Sequence, residues 1–139
     1  MAIDFLERCD VIEECYQFLL GYAAQGLPTD EGSSGRGVRN ELQQARDALV
    51  GLQESCRRAI DDQQLEPAGK YDAFCSMLED NVRDSLVAVE LVLAQPAISS
   101  QLIDNLNASS HLRALLTDLF LIGEIVRTRA AVITPVKGQ

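Results

Sequence analysis

Apolar residues recur along this chain in alternating steps of four and three. Phe5, Cys9, Ile12, Tyr16, Leu19 and Ala23 form one series. Val38, Leu42, Ala45, Leu49, Leu52, Cys56 and Ala59 form a second. Tyr71, Cys75, Leu78, Val82, Ser85, Val89 and Val92 form a third, and Leu112, Leu115, Leu119, Ile122 and Val126 a fourth. Such steps return one side chain per turn to the same face of a helix, whereas a half-buried strand would alternate with period two. The pattern predicts four long helices, over about 3–25, 38–63, 68–94 and 110–132. Val11, Cys15, Phe18 and Tyr22 widen the first stripe into the face that a globular bundle needs.

The breaks between these series have their own chemistry. Gly26 and Pro28 end the first helix, Pro67 and Gly69 open the third, and Pro96 stops it by disfavouring helix at Gln95. Ser109 or Ser110 is placed to cap the fourth, whose end carries Arg127 and Arg129 against the negative end of the helix dipole. Ile98, Leu102 and Leu106 recur every fourth residue, which predicts a short helical segment over about 97–106. Residues 26–37 read as a flexible glycine-rich connector and 134–139 as a frayed tail. The expected fold is all-α: one domain over 1–139, an antiparallel four-helix bundle with a short extra helical segment between the third and fourth helices.

Composition narrows the function classes. The chain has 139 residues, 47% of them hydrophobic, enough for a core that requires neither metal nor disulfide. Its formal net charge of -9 repels phosphate backbones, so nucleic acid is not an expected partner and a basic protein or cationic ligand suits it better. The first residues, MAIDFLERCD, have no basic n-region or long apolar core. No apolar run approaches the roughly 20 residues of a membrane span. The chain therefore reads as cytoplasmic, with its four cysteines as reduced thiols.

Four features carry candidate chemistry. Antiparallel order puts Cys9, Cys56 and Cys75 at one end of the bundle on seam positions, where three thiolates could hold Cu(I) or Zn(II); the simpler reading is small buried hydrophobes, and no cofactor is required. Arg36, Arg39 and His111 fall at the other end and could frame an anion pocket. Beside them, GSSGRG resembles a phosphate loop only superficially. No strand precedes it, no Gly-Lys-Ser/Thr closes it, and Asp30 and Glu31 are adjacent. Glu90 and Glu124, set in apolar surroundings, are candidates for perturbed ionisation or plain solvent-facing residues. A single histidine excludes a ferritin-like di-iron set, and no G-x-S-x-G supports a hydrolase.

The stretches 86–94 and 114–126 are apolar nearly all round, and such a helix must be covered all round. The expected function is therefore a non-enzymatic interaction protein, an adaptor, assembly factor or chaperone-like bundle. It would form a homodimer and dock a protein partner through Val87, Leu91, Leu116 and Phe120. A ligand- or metal-binding bundle is the alternative, and an enzyme of unrecognised type the third.

Overall fold

A computed structural model of the chain describes residues 2–31 and 36–133. The described residues are all-helical, with six helices: α1 (Ala2–Ala24), α2 (Arg36–Leu49), α3 (Leu52–Gln63), α4 (Ala68–Leu93), α5 (Ser100–Ala108) and α6 (Ser110–Ile133). Residues 32–35 of the expected connector, the expected tail and the Arg36 side chain lie outside the described residues.

The expected second helix, 38–63, is two helices. Gly51 adopts φ 85°, a left-handed conformation that a side chain would strain, and α3 restarts there without a side-chain cap. The freed carbonyls at the end of α2 find a donor on another helix. Arg8 of α1 gives its Nη1 to Ala48 O at 3.0 Å and Val50 O at 2.8 Å, with Asp47 O at 3.4 Å. The break keeps the phase of the apolar stripe, since Leu49 and Leu52 on either side of it are both buried.

Packing partners fix the directions of the rods. Arg8 lies against 47–50, while Phe18 lies against Gly37, where a Cβ would stand 3.2 Å from the ring. α1 and α2 are therefore antiparallel. Arg39 reaches Leu93 O, and Arg57 reaches Asp72, so α2 and α3 both run against α4. Asn81 meets Asp118 at 2.6 Å and Ser85 Oγ donates to His111 O, so α4 runs against α6. Arg127 of α6 pairs with Asp10 of α1 at 2.7 Å. Phe5, Leu42, Leu52, Leu78, Leu115 and Leu119 are among the side chains sealed between the rods.

α5 is laced to the end of α1. Tyr22 donates its hydroxyl to Ile98 O at 2.6 Å, Ser100 Oγ donates to Tyr22 O and accepts from Leu27 N, and Asn107 donates to Leu19 O. Its N-terminus is capped by Ser99, whose Oγ accepts from Leu102 N at 3.0 Å. The single residue Ser109 joins α5 to α6, and its hydroxyl accepts from Leu112 N at 3.3 Å. Each cap satisfies a backbone donor that a helix start leaves open.

Candidate functional site

α4 and α6 bury only part of their apolar surface. Their core faces are the predicted stripes, including Leu78, Val82, Val89 and Val92 on α4 and Leu115, Leu119, Ile122 and Val126 on α6. Beyond the stripes both helices carry more apolar residues than two neighbours can cover. Six of the eight exposed large apolar side chains among the described residues belong to these two helices: Met77, Val87, Leu91, Phe120, Leu121 and Ile125. The other two are Leu20 and Val50. Concentration of that kind makes these two helices the candidate surface, where scattered single residues would not.

Where α4 and α6 meet, this surface deepens into a groove of about 290 Å³. Pro67, Tyr71 and Phe74 form one wall and Leu121, Ile122 and Ile125 the other, with Lys70 the one charged side chain on its lining. The groove exists because the large residues lie to either side of the contact line rather than across it. One turn back along α6, Asp118 is 5% exposed and its carboxylate accepts a hydrogen bond from the Asn81 amide, at 2.6 Å. Burial pushes its carboxyl above the ordinary value, and the Asn81 bond offsets part of that rise.

Three of the four residues expected on the docking surface, Val87, Leu91 and Phe120, are exposed, though none of them lines this groove. Leu116 is not, being 4% exposed. At about 100° per residue it lies only about 60° from Leu119 on the core face, whereas Leu121 lies about 160° away. Leu121 and Ile125 escape a linear count for the same reason, whereas Tyr71 enters the sequence reading only as a stripe residue and Phe74 lies outside the stretches 86–94 and 114–126. Glu90 and Glu124 are both exposed.

At the expected anion end, Arg39 is engaged within the chain. Its Nε binds Asp30 Oδ2 at 2.6 Å, and its Nη1 and Nη2 bind Leu93 O at 3.2 Å and Gln95 O at 2.7 Å. Asp30 also accepts Ile98 N at 2.8 Å. Arg39 thus serves as a clamp on the end of α4, with each of its three guanidinium nitrogens bonded within the chain. His111 is half exposed and faces an acid, Asp84, at 3.7 Å.

The cysteine expectation divides in the same way. All four thiols are buried and free. Burial pushes the Cys56 thiol up, and Cys75 and then Cys9 beside it add to the rise, so the three do share one level as the register implied. Burial likewise raises Cys9 and Cys15 to about 12. Yet among the described residues no three His, Cys, Asp or Glu side chains form a group that could hold a metal ion. Cys56 and Cys75 are hydrogen-bonded to each other, and the buried thiols pack as small apolar groups.

No described helix is long and apolar enough to cross a membrane. No protein-family model, curated protein or solved structure matches the chain.

Proposed function

We propose that this chain is a non-enzymatic interaction module, an antiparallel four-helix bundle in which α2 and α3 count as one broken rod. It pairs with a second copy across the α4–α6 groove and docks a protein partner on the remainder of the same face. The carrying observation is the gathering of Met77, Val87, Leu91, Phe120, Leu121 and Ile125 on two neighbouring helices. Leu121 and Ile125 lie four residues apart on one stripe, as an isologous helix–helix contact requires, and the groove between them and Tyr71 and Phe74 offers a seat for the partner's copy of the same residues.

Sedimentation equilibrium of the untagged chain tests the pairing. The wild type is expected to be a dimer, and Leu121→Glu is expected to weaken association at least about tenfold, equivalent to about 1.4 kcal/mol, with an unchanged far-ultraviolet spectrum. A wild type that stays monomeric at every concentration refutes the self-pairing. A dimer that Leu121→Glu leaves intact removes this face from it.

A further inference from the structure

The break at Gly51 opens a second recess, a notch of about 460 Å³ between the broken rod and α4. Its walls are aliphatic: Leu49 and Val50 on one side, Leu86 and Val87 on the other. Val50 is 57% exposed and Val87 63% exposed, so the recess is apolar and uncovered.

The polar groups on its lining are of one kind. Glu79 and Glu90 each line the notch, and neither makes an ion pair or a side-chain hydrogen bond among the described residues. The Oε1 of Gln53 is shut off from water and has no donor. The cation in the lining, Arg83, is spent on Asp80 at 3.1 Å and Asp84 at 3.4 Å. What remains is two uncommitted carboxylates around an aliphatic floor, on a chain of net charge -9. Complementary charge is what selects a partner at such a surface.

Spacing adds a size. Glu79 and Glu90 are eleven residues apart on α4, which is about 16 Å along the helix. The end residues of a five-residue extended segment lie about 13 Å apart at about 3.3 Å per step, and two long cationic side chains make up the difference. The pairs Arg57 with Asp72 and Cys56 with Cys75 set the register of α3 on α4 and put Gln53 close to the level of Glu79.

We propose that the notch takes a basic segment of the protein partner, with an aliphatic side chain seated between Val50 and Val87 and a cationic side chain at each end. One cation meets Glu79, and the other meets Glu90. This rests on the reading of the chain as an interaction module and supplies the chemistry of what it docks.

The test is a titration of the ¹⁵N-labelled full chain with a capped peptide, Arg-Leu-Val-Leu-Arg, and with its twin carrying glutamine in place of both arginines. The arginine peptide is expected to shift the amides of Val50, Gly51, Gln53 and Val87 saturably. Binding should be at least about tenfold weaker for the twin, and for the double variant Glu79→Gln, Glu90→Gln, whose far-ultraviolet spectrum stays that of the wild type. About 0.5 M salt should weaken it as well. Equal binding of the two peptides, binding unchanged in the double variant, shifts confined to Leu121 and Ile125, or no shifts at all each overturn the proposal. So do notch amides that shift when the protein alone is diluted, since a second copy is then the occupant. A dimer with an inert notch sinks this proposal alone; a monomer whose notch binds sinks only the self-pairing.

Discussion

Replacing Arg39 by methionine tests how the loop end of the molecule is held. The guanidinium of Arg39 binds Asp30 at 2.6 Å and covers the carbonyls of Leu93 and Gln95 at the end of α4. Asp30 has 8% of its side chain exposed, so the substitution leaves its carboxylate with the backbone amides of Ile98 and Asp30 itself but without the Arg39 counter-charge. Removing one member of a fully buried pair costs about 3–5 kcal/mol. Arg39 is 31% exposed, so solvent screens part of the interaction and the expected loss is about 2–3 kcal/mol. For a domain of this size that is a fall in Tm of about 10 °C. Urea unfolding followed by circular dichroism measures it, and a cycle with Asp30→Asn isolates the pair, with a coupling of at least about 1 kcal/mol expected. The sign with pH follows from Asp30. Burial alone would raise its pKa, but the Ile98 amide and then Arg39 outweigh burial and hold it below 3.8. In the window below 3.8 the unfolded chain binds the extra proton, so the clamp's contribution is present above that value and is lost as pH falls through the folded one. The gap between wild type and Arg39→Met should therefore narrow below about pH 4. A variant within about 0.5 kcal/mol of wild type at pH 7, or a coupling near zero, would refute the reasoning.

Two glycines should respond oppositely to alanine. Gly51→Ala is expected to destabilise by about 1–2 kcal/mol through backbone strain alone, because the nearest atom to a new Cβ is Arg8 Nη2 at 3.9 Å. Gly21→Ala, within α1 and with nothing within 4 Å, should stabilise by about 0.4–1 kcal/mol; thermal unfolding that shows the same sign for both counts against this account. Asp118 runs opposite to Asp30: its raised pKa means that stability falls as pH rises from 3.8 through the folded value. Asp118→Asn should thus match or exceed wild type in urea midpoint at pH 8 and lose that advantage at pH 3, and a lower midpoint at pH 8 would contradict it. The four buried thiols should resist an aromatic disulfide reagent in the native protein at pH 8 and all react after unfolding in urea; fast labelling of the folded chain would show the burial of Cys9 and Cys15 to be wrong.

The helices were legible because burial repeats with the helical period, and the seam residues named from spacing are nearly all buried. The break at Gly51 was not legible. A single left-handed residue there leaves Leu49 and Leu52 on one face, so the apolar series runs through it unmarked. The common level of Cys9, Cys56 and Cys75 followed from counting residues along antiparallel rods. Counting gives height, however, and not the direction a thiol points. The clamp of Arg39 on Asp30, Leu93 and Gln95 joins segments up to 56 residues apart, and no local spacing signals a guanidinium committed to carbonyls. The stretch 114–126 is legible as apolar beyond the needs of a core, but choosing Leu121 over Leu116 for its exposed side requires the angle around the helix, which a linear count omits.

The hold of Arg8 on the end of α2 bears on how the molecule can move. A left-handed glycine between two helices would ordinarily act as a hinge, absorbing rotation so that each half swings on its own. Here the carbonyls beside the joint are pinned to α1 by one guanidinium, itself steadied by Asp4 at 3.1 Å. Bending α3 away from α2 must drag α1 with it or break those bonds. The joint is a strut, and a load applied at Val50 is passed through the rod to α1 on its other side.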